Sequence, residues 1–134
     1  MICGKVKKME LIVGGAFQGQ LEYAKKLYPE CEWQDGAACS WEELCAAKGV
    51  YNFQEFIRRA MKNERDVTGL AKELLACNRE LLIVSDEVGY GVVPIDAFER
   101  RYRETVGRVC TELAASSSRV HRVICGIGTV IKDA

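Results

Sequence analysis

The sequence predicts an α/β domain in which a mostly parallel sheet is flanked by helices. Two short apolar runs, Met9-Glu10-Leu11-Ile12-Val13 and Leu81-Leu82-Ile83-Val84, lack the in-out alternation of a half-solvated strand, as interior parallel strands do. Each is followed by a glycine-containing turn. Segments with helical spacing of apolar residues alternate with these runs through short connections, the pattern of an α/β chain.

Taken in order, the first run ends at Gly14-Gly15, and residues 19–28 carry Leu21, Ala24, Leu27 and Tyr28 at helical spacing until Pro29 stops the helix. Residues 30–39 are irregular, with a short strand near Trp33. Ser40-Trp41-Glu42-Glu43 fits a capping box, in which serine and glutamate satisfy each other's free amides, and opens a helix to about Ala47. Asn52-Phe53-Gln54-Glu55 reads as a second such start, with Phe56, Ile57 and Ala60 on one face. Asp66 is placed to cap a third helix, whose apolar stripe is Val67, Leu70, Ala71, Leu74 and Leu75. After the second strand come the loop Glu87-Val88-Gly89-Tyr90-Gly91 and Pro94, in a first-turn position. The longest helix spans about residues 95–115, burying Phe98, Tyr102, Val106, Val109, Cys110 and Leu113. Residues 119–125 and 127–131 read as closing strands, and the first and second apolar runs are expected side by side or nearly so.

The chain has 134 residues and 15.0 kDa, the size of one domain spanning 1–134. Nineteen basic residues balance nineteen acidic ones. That balance argues against a nucleic-acid partner and for self-association. No apolar run approaches the roughly 20 residues of a membrane helix. The basic start runs into an apolar stretch interrupted by Glu10, which argues against a signal peptide. Seven cysteines without a C-x-x-C pair, beside one histidine, do not make a zinc site. They read as free thiols in a reducing cytoplasm.

The first strand-to-helix turn carries the candidate binding residues: Gly14, Gly15, Ala16, Phe17, Gln18, Gly19, Gln20 and Leu21. Two glycines with four residues between them, placed between a strand and a helix, form the frame of a phosphate-binding loop. In that motif a lysine meets the phosphates and a serine or threonine ligates magnesium. Here Gln20 and Leu21 take those places. Backbone amides at the helix start still offer an anion a place, although the same frame is also that of a plain glycine turn. A second candidate is Ser85-Asp86-Glu87, since ligands in open α/β sheets bind beyond the carboxyl ends of strands. An ordinary strand end would look the same. His121, alternating with apolar residues on a strand, reads as a structural, solvent-facing histidine. The arginines at 100, 101, 103 and 108 share a helix with Glu99, Glu104 and Glu112 and read as a solvated, ion-paired face.

The second half resembles a known family. Ser85-Asp86-Glu87-Val88-Gly89-Tyr90-Gly91-Val92-Val93-Pro94 is similar to the signature segment of the bifunctional adenosylcobinamide kinase/adenosylcobinamide-phosphate guanylyltransferases of cobalamin biosynthesis. The similarity continues through Arg101-Tyr102-Arg103-Glu104, Gly107-Arg108-Val109, Leu113-Ala114-Ala115, Gly126-Ile127-Gly128 and Ile131-Lys132. Residues 11–28 are less similar but correctly placed, because that family opens on a Gly-Gly-Ala phosphate loop.

The resemblance implies a P-loop NTPase fold of the RecA type and a homo-oligomer, with a trimer first and a dimer next. It also implies kinase and guanylyl-transfer chemistry, the second through a guanylylated histidine. The chain departs from that pattern at Gln20, at Leu21 and at the absent histidine helix. Asn52 stands near where an acidic strand end would help hold magnesium, and Asp86, Cys110 and Thr111 replace two expected asparagines and a glutamine.

The expectation is therefore a cytoplasmic homologue impaired in both reactions, with no catalytic or metal-ligating residue to name. Its binding residues are those of the glycine loop with Glu87. Its ligand is a nucleotide (GTP or ATP, bound weakly and without magnesium) or a corrinoid. The alternatives are an active transferase with a reorganised site, using Glu87, an arginine of the long helix or a neighbouring subunit, and a non-catalytic partner of an intact family member.

Overall fold

A computed structural model describes residues 8–88 and 96–134. The expected glycine loop at Gly89 and Gly91, Pro94 and the first residue of the expected long helix lie outside the described residues. Six strands form one sheet in the order β2-β3-β4-β1-β5-β6. They are β1 (Glu10–Gly14), β2 (Trp33–Asp35), β3 (Gly49–Tyr51), β4 (Leu82–Asp86), β5 (Arg119–Ile124) and β6 (Ile127–Asp133). The first five run parallel, and only β6 returns antiparallel against β5. β1 lies between β4 and β5, with Leu11 beside Ile83 and Val120.

The lost alternation of the two apolar runs has its cause here. In β1, Leu11 and Ile12 point to opposite faces and both are buried, as are Ile83 and Val84 in β4. Helices cover both faces. On one, α1 (Gln20–Leu27) lays Ala24 and Tyr23 against Ile12, Val84 and Val123. On the other, α2 (Trp41–Ala46), α3 (Phe53–Lys62), α4 (Leu70–Cys77) and α5 (Ala97–Ser116) contribute Leu44, Ile57, Leu74 and Leu113 to the larger core.

The capping box forms as expected: Ser40 Oγ accepts from Glu43 N at 3.1 Å, and Glu43 accepts from Ser40 N at 2.9 Å. The other two starts differ. Asn52 precedes α3 in the left-handed region (φ 53°) without a side-chain cap, because its amide donates to Asp35 at 3.3 Å instead. Asp66 accepts from Thr68 N within a turn, and α4 begins only after Gly69. α5 is capped by Asp96, whose carboxylate accepts from Phe98 N at 2.7 Å. Arg58 of α3 ties to Glu99 of α5 and lies 4.0 Å over the Tyr102 ring, so Glu99 serves an inter-helix contact as well as the solvated face.

Two expectations are corrected. Cys45 and Cys77 are joined in a disulfide between the ends of α2 and α4, with Cα atoms 5.5 Å apart, so the cysteines are not all free thiols. A pairing 32 residues apart leaves no local spacing signal in the sequence. His121 is buried, at 1% exposure, rather than solvent-facing. Its ring lies under α1, where Tyr23 O–H bonds Nδ1 at 2.8 Å and Glu10 takes Nε2 at 3.1 Å. Because α1 covers the face of β5 that carries His121, its alternation along the strand does not mark a solvent side. Among the described residues no helix is long and apolar enough to cross a membrane.

Candidate functional site

The strand order places a reversal beside β1: the chain leaves β1 toward the β2 edge, whereas β4 leads through α5 to β5 on the other side. Such a switch point opens a crevice at the carboxyl ends of the strands. The glycine loop and the Ser85-Asp86-Glu87 end both lie there, with Gly14 paired to Asp86 in the sheet. The structure thus brings the two candidate segments together.

Gly14 closes β1. A Cβ there would fall 2.7 Å from the Val123 carbonyl, so the close approach of β5 requires glycine. Gly15 is half-buried, and Ala16 and Phe17 form the exposed tip. Phe17 is fully exposed and has φ 61°, a left-handed conformation unusual for a bulky side chain. Gln18 holds the tip to the β5–β6 turn: its Oε1 accepts from Cys125 N at 2.8 Å, and its carbonyl accepts from Gly126 N at 2.7 Å. Gly19, at φ 86°, turns the chain into α1 without a side-chain cap.

Gln20 is the centre of the arrangement. It is buried, and its amide nitrogen donates to Gly14 O at 3.0 Å, Gly15 O at 3.1 Å and Asp86 Oδ1 at 2.7 Å. All three partners are acceptors, which fixes the amide's orientation. Leu21 lines a small cleft of about 250 Å³ together with Glu22, Tyr51, Asn52 and Asp86.

Asp86 is half-buried, and its backbone N–H donates to Gln54 at 3.0 Å. Burial pushes its carboxyl above the usual carboxylate range, against the Gln20 bond, which lowers it. Glu87 N donates to Gly14 O at 2.7 Å, while Glu87 Oε1 lies 3.6 Å from Arg122 Nε. Glu87 therefore has a partner on β5 and stands at the loop's edge.

The site holds Asp86 and Glu22, and among the described residues no lysine is bonded within the loop interior. Among the described residues no group of three histidine, cysteine, aspartate or glutamate side chains is placed to hold a metal ion. Sequence reasoning missed the roles of Gln54 and Asn52. Both lie at the start of α3 and reach other elements only through the tertiary fold.

The profile of the cobinamide kinase / cobinamide phosphate guanyltransferase family matches residues 43–131, well over half of the chain. The chain belongs to this family. Two curated relatives carry the name bifunctional adenosylcobalamin biosynthesis protein CobU. That of Escherichia coli K12 is 36% identical over 67 residues, which are 50% of this chain and 37% of the relative. That of Salmonella typhimurium LT2 is 41% identical over 56 residues, 42% of this chain and 31% of the relative. The matches thus span about a third of the length of the relatives.

In fold, the chain is similar to the P4 protein of bacteriophage phi6, solved in complex with ADP. The TM-score is 0.50 at 14% identity, over 94% of this chain and 54% of that one. Together with the mostly parallel sheet, this likeness gives a P-loop NTPase-like fold, as the family resemblance implied.

Proposed function

We propose that this chain is a binding member of the cobinamide kinase family: it holds a nucleotide, or a corrinoid, without carrying out phosphoryl or guanylyl transfer. The observation that carries this reading is the Gln20 amide inside the loop. There a neutral group takes the three acceptors Gly14 O, Gly15 O and Asp86 Oδ1. Phosphoryl transfer depends on positioning and on charge placed at the phosphates. Gln20 brings no charge, and the leucine at 21 has no oxygen to offer a magnesium ion. The Asp86 carboxylate is already engaged by Gln20. These residues do not fit a magnesium-triphosphate.

The guanylyl half of the family's chemistry needs a reachable histidine nucleophile. The chain's one histidine is 1% exposed, with both ring nitrogens bonded to Tyr23 and Glu10. What the site retains is the uncapped start of α1, whose first-turn amides suit an anion, opposed by Glu22 and Asp86. That balance favours weak binding.

Titration calorimetry with GTP and ATP, with and without magnesium, tests the reading on the wild type and on the double change Gln20→Lys, Leu21→Ser. The wild type is expected to bind weakly and without regard to magnesium, and the double variant to gain magnesium-dependent binding. Tight magnesium-dependent binding of GTP by the wild type, or turnover of adenosylcobinamide, overturns it.

A further inference from the structure

A large groove lies at the opposite end of the sheet from the glycine loop, beside the amino-terminal ends of β1, β4 and β5. It measures about 1170 Å³, and its walls include Glu10, Tyr28, Cys31, Ala47 and Asn78. The Cys45–Cys77 disulfide stands at its rim, since Ala46 and Ala47 directly follow Cys45 and Asn78 directly follows Cys77. We propose that Cys45 and Cys77 form a reversible thiol–disulfide site that clamps the α2–α4 side of this groove.

Three features of the geometry support reversibility. Cys77 is exposed and Cys45 half-buried, so a small thiol can reach the bond. The junction does not depend on the bond alone: the Asn78 side chain donates to Leu44 O at 3.0 Å and Ala47 O at 2.7 Å, bracketing Cys45. Opening the bond therefore leaves the two sulfurs near each other, ready to close again. Three of the four free thiols among the described residues are also poorly suited to intercept the reaction, and the fourth, Cys125, is exposed but lies in the β5–β6 turn at the other end of the sheet. Burial pushes Cys31 and Cys39 up, and Cys110 up to about 11, which depletes their thiolates.

The groove is mechanically linked to the clamp. α2 leads within three residues to Gly49, where a Cβ would fall 2.8 Å from Cys31 Sγ and 2.6 Å from the Trp33 ring. A shift of α2 is thus felt at Cys31 in the groove wall.

The exchange balances with glutathione. A glutathione thiolate attacks the exposed Cys77 sulfur, the S–S bond breaks, and Cys45 leaves as a thiolate that takes a proton. A second glutathione resolves the mixed disulfide, so the protein gains two thiols as two glutathiones become one disulfide. Oxidised glutathione drives the reverse, taking two electrons from the pair as its own bond breaks into two thiols.

The test equilibrates the whole chain in reduced and in oxidised glutathione, then pulses it with N-ethylmaleimide and maps the peptides. The Cys45–Cys77 peptide is expected to form in oxidised glutathione and to disappear in reduced glutathione, with the circular dichroism of a folded protein in both. Cys31 is expected to react several-fold more slowly in the oxidised form. The double change Cys45→Ser, Cys77→Ser should hold Cys31 at the fast rate in both buffers. The reduced wild type should melt about 5–10 °C below the oxidised one, as removal of a cross-link implies. Free Cys45 and Cys77 in oxidised glutathione overturn the proposal. So does a bond that survives reduced glutathione until denaturant is added, and so does a Cys31 rate that ignores the redox state.

Discussion

The amide nitrogen of Gln20 lies 2.7 Å from Asp86 Oδ1, although 66 residues separate the two in sequence. The same nitrogen also serves the Gly14 and Gly15 carbonyls, so two amide hydrogens are shared among three acceptors. An ammonium has three hydrogens and a charge. The loop interior therefore keeps the acceptor geometry that suits a cation while holding a neutral donor, and the bond that Asp86 accepts there comes from a neutral amide.

That arrangement predicts a pH dependence. The folded-state pKa of Asp86 is raised, chiefly by burial. A raised carboxyl favours the folded state when protonated, and this contribution is lost as pH climbs from the unfolded value of about 3.9 through the folded one. Asp86→Asn keeps an acceptor for Gln20 and removes the charge. Urea unfolding of the variant should show a gain over wild type at pH 7 that shrinks at pH 3.5. An identical difference at both pH values refutes the assignment.

The buried histidine gives a second prediction. Glu10 offers only acceptors to His121 Nε2, so that nitrogen carries the hydrogen and Nδ1 accepts from Tyr23. Tyr28 O–H bonds the other Glu10 oxygen, and burial together with that bond raises the Tyr28 hydroxyl above its ordinary pKa. Tyr23→Phe orphans one buried nitrogen and should cost about 1–2 kcal/mol. His121→Ala orphans Tyr23 and Glu10, leaves a hole under α1, and should cost about 2–4 kcal/mol. Denaturant melts check both, and losses below about 0.5 kcal/mol would show that the network carries little stability.

How much of this was legible in the sequence depended on how local its cause was. β1 and β4 were readable because double-sided burial of Leu11, Ile12, Ile83 and Val84 erases alternation within four or five residues. The Ser40 box was readable because both partners lie within one turn. β3 was not, since its three residues Gly49–Tyr51 are too few for a period and become a strand only by pairing with β2 and β4. The glycine loop was placed correctly, but the three acceptors around Gln20 come partly from β4 and needed the fold. The burial of His121, the Cys45–Cys77 bond and the bonding of Asn52 to Asp35 all depend on residues 17 or more positions away.

Phe17 supplies a third prediction. Its side chain is fully exposed and so contributes no packing, while its φ of 61° costs a non-glycine residue about 1–2 kcal/mol. Glycine relieves that cost and forfeits about 0.5–1 kcal/mol of chain entropy. Phe17→Gly should therefore raise stability by up to about 1 kcal/mol in urea melts. A destabilised variant would mean that the ring makes contacts in solution.

The last prediction concerns self-association, which the family resemblance implies. Among the large aromatic residues, Phe53 and Phe56 are buried in the core, and Trp33, Trp41 and Tyr51 are half-buried. Besides Phe17 and Leu27, the exposed large apolar side chains among the described residues lie at Ile127 (71%), Ile131 (59%) and Val130 (45%) on β6 and at Ile124 on β5. β6 is the sheet's edge, where proteins commonly place charges to block pairing with another chain. Here both charges of β6 are engaged within the chain: Lys132 Nζ donates to Ala114 O and Ala115 O at 2.9 Å, and Asp133, though exposed, pairs with Arg119 at 3.5 Å. An apolar edge whose two charges are already engaged within the chain suits pairing with a second copy of the chain. Light scattering should return a multiple of 15.0 kDa for the wild type, with a trimer first. The double change Ile127→Lys, Ile131→Lys places charges on the edge without touching the core and should shift the mass to that of one chain, with circular dichroism unchanged. A wild type of one-chain mass across a wide concentration range refutes the prediction, and an oligomer that survives both lysines moves the interface away from β6.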